Sequence, residues 1–274
     1  MAENYIDRIE VDGVERPIRD TSGSVRYDAA QSLTDAQKQQ ARENIAAGSA
    51  ADLAKKPDAL LTYTTLHVAK TGNDTTGDGS ESKPYLTIQK ALNSLPSLLV
   101  DRVIVQVHVG NYNENVVITN FTGREIHVAG DSNESVTINT LRALNNNIGY
   151  LRIENLAITG NSGDGYNWSL QVEGIQPVYL QNIICTNETP NSHVGAFYFT
   201  KTSMVFMNNC TISNKNIALD VDGSVIYLNN TVTGTNNTVG IRCGSGWGNA
   251  GGYVQKGGAN IAGEEQKGYG GQIW

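Results

Sequence analysis

Four segments of this chain align one above another, and their alignment decides the fold: LRIENLAI (151–158), VYLQNIIC (178–185), VFMNNCTI (205–212) and IYLNNTVT (226–233). The fifth position is always Asn: Asn155, Asn182, Asn209 and Asn230. The spacings between these residues are 27, 27 and 21, and Gly130 takes the equivalent place in an earlier segment, IHVAG (126–130). Self-similarity at this period indicates a solenoid in which each repeat packs on the next.

Apolar residues alternate along each segment, but the alternation shifts by one at the Asn. In the first copy Leu151 and Ile153 precede the Asn, and Leu156 and Ile158 follow it. Successive side chains of a strand point to opposite faces, so the shift requires a corner. Asn tolerates the left-handed conformation that a corner needs, and stacked Asn side chains can hydrogen-bond to one another. We therefore predict that the four Asn residues form a structural ladder.

A third strand in each turn follows the same pattern. Its apolar pairs recur at intervals of 27, 22 and 22 residues: Leu170 and Val172, Phe197 and Phe199, Leu219 and Val221, Ile241 and Cys243. These intervals track those of the Asn residues within one residue. We predict a mainly β fold, a parallel β-helix with about three strands per turn, whose successive turns pair in parallel.

The β-helix is predicted to span residues 66–244, with a capping helix at its N-terminal end. Ile88, Leu92 and Leu95 lie on one helical face, and Pro96 ends the helix. Such a helix covers strand edges that would otherwise stay unpaired. Residues 245–274 are rich in Gly and aromatic residues, which suits either a cap that closes the solenoid or a recognition tip.

Two short regions precede the solenoid. Residues 1–31 contain a β-like stretch, Ile6 to Ile18, whose break at Asp12-Gly13 predicts a small hairpin. Residues 32–65 read as two short helices and a linker. Their apolar side chains are few: Leu33, Ala36, Ala41, Ile45 and Leu53. A stripe this thin is buried most easily against copies of itself, so these residues are the candidates for self-association.

Two stretches resemble known families. GNDTTGDGSESKPYLTIQKAL (72–92), followed by the coil, resembles the pectin-lyase-like superfamily as found in bacteriophage tailspikes and tail fibres, over roughly residues 66–245. YDAAQSLTDAQKQQARENIAAG (27–48) is similar to a helix-turn-helix motif of phage fibre proteins, including head fibres. The resemblance implies a right-handed β-helix, a homotrimer and a place on a virion.

Composition limits the function classes. The chain has 274 residues, a net charge of −7 and 17% charged residues, which argues against nucleic acid as a partner. It has no apolar run long enough to span a membrane, and its first residues lack the pattern of a secretory signal. The three Cys residues lack metal-ligand spacing, so we expect reduced core residues in a protein made in the bacterial cytoplasm. We expect no cofactor and no metal.

Catalytic patterns are weak. Superfamily enzymes that cleave polysaccharides use paired carboxylates or a metal, and the polygalacturonase-like motifs are absent. The best acidic candidates are Asp220 and Asp222, with Glu173 two turns away in the column of Asp222. Column alignment sets Asp220 between Tyr198 and Arg242, and we expect a solvated outer face on which the acidic residues are paired with Arg242. An enzyme is therefore not the favoured interpretation.

An outward column lies three places before the Asn ladder: His127, Arg152, Tyr179, Phe206 and Tyr227. Exposed aromatic residues in a row require an explanation. They stack on a sugar, are buried around a trimer axis, or are simply exposed or covered by a loop, and burial around a trimer axis is favoured. The ligand-binding candidates are Tyr179, Phe206 and Tyr227, Tyr198 on another face, and the C-terminal Trp247, Tyr253, Tyr269 and Trp274.

These observations predict a homotrimeric phage appendage of the tail-fibre or tailspike type. Its N-terminal region binds another virion protein, and its distal part binds a bacterial surface ligand, expected to be a glycan. Two alternatives remain open: a head fibre or capsid-decorating trimer, and a depolymerase tailspike whose active site lies between protomers.

Overall fold

The computed structural model describes residues 8–11, 14–17, 34, 59–133, 135–160, 168–175, 177–186, 195–244 and 250–274. The chain divides into two compact units, residues 1–56 and 57–274. In the first unit, β1 (Arg8–Val11) pairs antiparallel with β2 (Val14–Pro17), which confirms the predicted hairpin. The candidates for self-association, Leu33, Ala36, Ala41, Ile45 and Leu53, lie outside the described residues.

The second unit contains one short helix and twenty strands among its described residues. In chain order they are β3 (Ala59–Leu60), β4 (Thr64–Val68), α1 (Ile88–Asn93), β5 (Leu98–Val107), β6 (Gly110–Thr119), β7 (Thr122–Gly130), β8 (Val136–Leu144), β9 (Asn147–Ile158), β10 (Trp168–Glu173), β11 (Val178–Cys185), β12 (Gly195–Thr200), β13 (Val205–Asn208), β14 (Thr211–Ile212), β15 (Ile217–Asp222), β16 (Val225–Leu228), β17 (Thr233–Gly234), β18 (Val239–Cys243), β19 (Tyr253–Gln255), β20 (Asn260–Ile261), β21 (Glu264–Lys267) and β22 (Gln272–Ile273).

The strands form the three faces of a parallel β-helix. Face one stacks β3 to β5, β7, the first halves of β9 and β11, β13, β16, β19 and β22. Face two stacks the starts of β6 and β8, the ends of β9 and β11, β14, β17 and β20. Face three stacks the ends of β6 and β8, β10, β12, β15, β18 and β21. The predicted fold class, with three strands per turn, is confirmed.

The register is the one that the sequence alignment predicts. On face one, Leu151, Val178, Val205 and Ile226 are paired in succession. On face three, Leu170, Phe197, Leu219 and Ile241 are paired in the same way. These side chains point inward and are at most 1% exposed. Full burial of one such side chain stabilises the fold by about 1.5–3 kcal/mol, so every rung contributes to one continuous core.

Three cysteines lie in the solenoid interior. Cys185, Cys210 and Cys243 are fully buried and unpaired, as the sequence analysis expects. They act as small apolar side chains in the core, and burial raises the pKa of the Cys210 thiol to about 12.

Helix α1 packs against β4, β5 and β6, the first strands of the solenoid, as predicted for a cap. Ile88, Ala91 and Leu92 join the main core. The Thr87 side chain caps the helix by accepting a hydrogen bond from the amide of Lys90, 3.2 Å away. In the described part of the chain, no helix is long and apolar enough to cross a membrane.

The β-helix is longer than the predicted span of 66–244. Its first paired strand begins at Ala59, and its last ends at Ile273. The end strands are short and, after residue 244, rich in Gly, so they carry little of the alternation by which a strand is recognised in sequence. Residues 253–273 form further rungs. Strands β19, β20 and β21 pair with β16, β17 and β18, and β22 pairs with β19.

Candidate functional site: an aromatic face on the solenoid

The corner beside face one is formed by the Asn ladder. Asn155, Asn182 and Asn209 have φ of 58°, 54° and 49°, in the left-handed region. The side-chain amide of Asn182 donates to Oδ1 of Asn155 at 2.7 Å, and that of Asn209 donates to Oδ1 of Asn182 at 2.7 Å. The ladder holds the outer face in constant register from one rung to the next.

The fourth predicted member, Asn230, does not continue this ladder. Among the described residues it is not one of those with positive φ, and the backbone amide of Asn209 donates instead to Oγ1 of Thr231. A separate amide contact forms one position earlier, where the side chain of Asn229 donates to Oδ1 of Asn208. The last interval is shorter, 21 residues rather than 27, and the corner is reorganised there.

Gly130 stands in the same corner for a different reason. A Cβ at this position would lie 2.1 Å from the backbone oxygen of Asn155. Close approach of two backbones, rather than positive φ, therefore requires Gly at this rung.

Three aromatic side chains stack along the outside of face one. Tyr179, Phe206 and Tyr227 occupy neighbouring rungs in direct register. The ring centroids of Tyr179 and Phe206 are 5.0 Å apart, and those of Phe206 and Tyr227 are 5.3 Å apart, with interplanar angles of 14° and 16°. The guanidinium of Arg152 lies 5.4 Å from the ring centroid of Tyr179. We call these three residues the aromatic column; each is half-buried.

A second apolar column, which the sequence analysis missed, runs beside the first. Its members come five places before each aligned Asn and directly before the paired inward residues of face one: Tyr150, Pro177, Met204 and Val225. Tyr150 is 44% exposed and Met204 is 40% exposed. Tyr253 pairs with Val225 and extends this column by one rung. The second column could have been predicted from the sequence, because all four repeats have an apolar residue at this outward-pointing position.

Uncharged amides border the aromatic column on its other side. Gln181, Asn208 and Asn229 occupy the position directly before the corner on successive rungs. We call them the amide column. Aromatic rings, aliphatic side chains and amides thus run in parallel along the solenoid axis on the three rungs of the aromatic column.

Charged residues of face one lie on the earlier rungs and are paired. Arg102 donates to Glu125 at 2.9 Å, and Nε2 of His127 lies 2.9 Å from Oε1 of Glu154. Burial lowers the pKa of His127, and the neighbouring Glu154 opposes that shift. Face one therefore divides into a charged, paired part and an aromatic, uncharged part.

The acidic candidates on face three lie elsewhere and are not solvated. Tyr198, Asp220 and Arg242 are in direct register, as the alignment predicts. However, Asp220 and Asp222 are fully buried, which corrects the expectation of a solvated face. Arg242 donates from Nε and Nη2 to the two oxygens of Asp220 at 3.0 and 2.5 Å. A carboxylate held by two hydrogen bonds in this way serves as a structural partner.

Tyr198 belongs to the same buried network, so the expectation that it binds ligand is not supported. It is 8% exposed, its ring stacks on Trp168 at 5.0 Å, and its hydroxyl donates to Oδ2 of Asp222 at 3.1 Å. Burial raises the pKa of the Tyr198 hydroxyl to about 12. Burial also raises the pKa of Asp220, whereas the hydrogen bonds from Arg242 oppose the rise.

Glu173 does not complete a catalytic pair. It is in register with Thr200 and then Asp222, as predicted, but its Oε1 accepts from Nζ of Lys201 at 3.1 Å on the surface. Among the residues that the structure describes, no three His, Cys, Asp or Glu side chains gather closely enough to hold a metal ion.

Two of the C-terminal aromatic candidates are well exposed. Tyr269 and Trp274 are 66% and 68% exposed, and Tyr269 has a φ of 48°. The indole of Trp274 donates to Oε1 of Gln272 at 3.3 Å. Tyr253 is half-buried on face one, and Trp247 lies outside the described residues.

Comparison with known proteins identifies no family. No protein-family model matches the chain, and no curated protein matches it. A solved structure, the pectin methylesterase PemA from Erwinia chrysanthemi, is similar over 70% of this chain and 70% of that chain, at 15% identity and a TM-score of 0.37. A likeness of this extent carries no argument about activity, and the assignment of the fold rests on the strand register described above.

Proposed function

We propose that this protein is a non-catalytic attachment protein that binds a bacterial surface glycan through face one. The observation that carries the proposal is the stacked aromatic column of Tyr179, Phe206 and Tyr227, bordered by apolar residues on one side and by the amide column on the other. Aromatic rings and amides together match a sugar, which presents C–H groups and hydroxyls.

The repeat of this chemistry favours a polymeric ligand. The same residue types recur at the strand spacing of about 4.8 Å along the axis. A linear polysaccharide lying along face one would therefore meet equivalent groups on the three rungs of the aromatic column. The aromatic part of the face is uncharged, so the proposed ligand is neutral along this contact.

The buried state of the acidic candidates supports binding without cleavage. Asp220 is neutralised by Arg242, and Asp222 accepts from Tyr198, so neither is placed to act on a surface-bound glycan. Sugar hydrolysis needs two accessible carboxyl groups on either side of the bond that breaks.

The place of this protein on a virion rests on the sequence resemblance of residues 27–48 and 72–92 to phage fibre proteins. We propose that it is a tail-fibre or tailspike-like appendage, made in the bacterial cytoplasm and held to another virion protein by its N-terminal region. Assembly into a homotrimer would bring three glycan sites onto one rigid body, and avidity would then exceed the affinity of a single site.

The experiment measures binding of the full chain to an array of bacterial capsular and O-chain polysaccharides. We expect binding to at least one neutral polysaccharide, weakened about tenfold in Phe206→Ala, because the central ring of the stack is lost. Tyr63→Ala is the matched control, since Tyr63 is an exposed aromatic residue three rungs before Tyr150 and away from the aromatic column. Thermal unfolding of both variants separates lost binding from lost folding.

Two outcomes would overturn the proposal. If the wild-type chain binds no polysaccharide and sediments as an oligomer that Phe206→Ala dissociates, then face one is an interface between copies. If the chain releases reducing sugar ends from a polysaccharide that it binds, then it is a depolymerase and the non-catalytic assignment is wrong.

A further inference from the structure

The inner rings of the aromatic column are poorly placed to carry a sugar on their faces. Phe206 lies between Tyr179 and Tyr227 and stacks on both, so its two faces are turned toward its neighbours. Tyr179 lies between Phe206 and the guanidinium of Arg152. A pyranose packs its C–H groups against the face of a ring, where the negative part of the quadrupole lies. A ring with an accessible face is needed.

Tyr150 is that ring. It stacks on Tyr179 on one side, with centroids 6.1 Å apart and an interplanar angle of 23°, and it remains 44% exposed. It is the most exposed aromatic side chain of the two columns, and the stack behind it restricts its orientation. An immobilised ring loses little conformational entropy when it binds a ligand.

A groove lies directly beside Tyr150. It has a volume of about 570 Å³ and is lined by Thr122, Gly123, Asn147, Ile148, Gly149 and Gly174. Ligand sites in proteins commonly have volumes of roughly 300–1,000 Å³, so the groove has room for a saccharide of one or two units. The groove and the Tyr150 ring adjoin, because Gly149, which lines the groove, directly precedes Tyr150 in the chain.

Two of the lining glycines are required by the backbone. A Cβ on Gly123 would lie 1.9 Å from the backbone oxygen of Leu99, so the close approach of two rungs demands Gly there. Gly174 has a φ of 71°, and a Cβ built on it would meet nothing within 4 Å. The space around Gly174 is therefore open, and its positive φ favours Gly.

The charges around the groove are already paired. Arg124 donates to Asp101 at 3.0 Å, and the buried Glu125 accepts from Arg102 at 2.9 Å. The lining itself contains a hydroxyl, an amide and backbone groups but no charged side chain. These groups suit the hydroxyls of a neutral sugar better than a carboxylate or a phosphate.

We infer that this groove and the ring of Tyr150 form a subsite for one neutral sugar unit, and that this subsite sets the specificity of the polysaccharide contact. The inference rests on the proposed function and deepens it, because it locates the recognition of an individual sugar at one end of the aromatic column. The inner rings hold Tyr150 in place and contact the rest of the chain through their edges.

The test is saturation-transfer NMR of the full chain with neutral di- and trisaccharides of glucose, galactose and N-acetylglucosamine. We expect at least one to bind, with affinity reduced about tenfold or more in Tyr150→Ala and retained in Tyr150→Phe, which keeps the ring. Tyr63→Ala should bind as the wild type does. A trisaccharide in which one unit is a uronic acid should bind more weakly.

The outcomes separate the subsite from the proposed function. If the wild type binds polysaccharide on the array and Tyr150→Ala binds equally well in both assays, then the subsite is refuted and the proposed function stands. If the wild type binds no glycan in either assay, then both are refuted.

Discussion

The side-chain amide of Asn182 donates a hydrogen bond to Oδ1 of Asn155 across 2.7 Å, from one turn of the β-helix to the turn before it. Asn209 repeats the contact one turn later. Both donors and acceptors sit on left-handed corners. The side chain therefore satisfies two requirements at once: it tolerates positive φ, and it links successive rungs.

Substitutions at Asn182 should separate these two requirements. Asn182→Gly keeps the backbone geometry but loses the ladder, whereas Asn182→Ala loses both. We expect the alanine variant to be less stable than the glycine variant by about 1 kcal/mol, because an L-residue with a Cβ disfavours this conformation by about 1–2 kcal/mol. Urea unfolding at equilibrium measures the difference. Gln181→Ala, on the exposed neighbour, is the control, and equal stability of the two Asn182 variants would contradict the corner argument.

Removing one partner of the buried pair of Asp220 and Arg242 should destabilise the fold more than replacing both partners with apolar residues. Asp220→Ala leaves the guanidinium of Arg242 without its carboxylate, and we expect a loss of about 3 kcal/mol in the free energy of unfolding. The double variant Asp220→Leu with Arg242→Met should recover most of that loss, because it removes both charges. Chemical denaturation of the three proteins tests this, and a fully unfolded double variant would show that the pair itself is required.

The N-terminal end of α1 should depend on Glu114. Its two carboxylate oxygens accept hydrogen bonds from the backbone amides of Ile88 and Gln89, each at 3.0 Å. Glu114→Ala leaves these donors without their partner, which should cost about 2 kcal/mol. The exposed Glu81→Ala is the matched control. Amide hydrogen exchange should show faster exchange in 88–93 for the first variant only, and unchanged protection there would contradict this role.

Acid should destabilise the fold through His127. Burial lowers its pKa in the folded state below the ordinary value of 6.5, so the unfolded chain binds the proton more readily. The stability from this group is present above pH 6.5 and is lost as the pH falls through the folded-state pKa, by at most about 1.4 kcal/mol per pH unit. Unfolding free energies of the wild type and His127→Gln between pH 7 and pH 5 measure the contribution. A pH profile that the substitution leaves unchanged would contradict it.

Much of the fold could be predicted from the sequence because each repeat carries the same pattern of apolar residues around its corner. The alternation of Leu151 and Ile153 and its shift at Asn155 required a corner, and three further copies at spacings of 27, 27 and 21 residues set the register. The strands at the two ends of the solenoid could not be predicted in the same way. β3, β20 and β22 are two residues long, and a strand of that length has no period to detect.

The candidate site was only partly predictable. The column of Tyr179, Phe206 and Tyr227 followed from the alignment, but Tyr150 was overlooked beside it, although an apolar residue stands five places before each aligned Asn. Tyr198, Asp220 and Asp222 were placed on the correct face and given the wrong environment. The face of the sheet to which a side chain points follows from its position in the strand. Its exposure depends on whether other parts of the chain cover that face.

The sequence by itself determined the coil, its three faces, the register of the rungs and which side chains point inward, because these follow from the strand period and from the spacing of the repeats. The tertiary structure alone decided that Asp220 and Asp222 are buried rather than solvated, that the inner rings cover each other and leave Tyr150 exposed, and that three glycines distant in sequence line one groove. Each of these depends on distances between atoms on different rungs, and such distances exist only after the chain has wound upon itself.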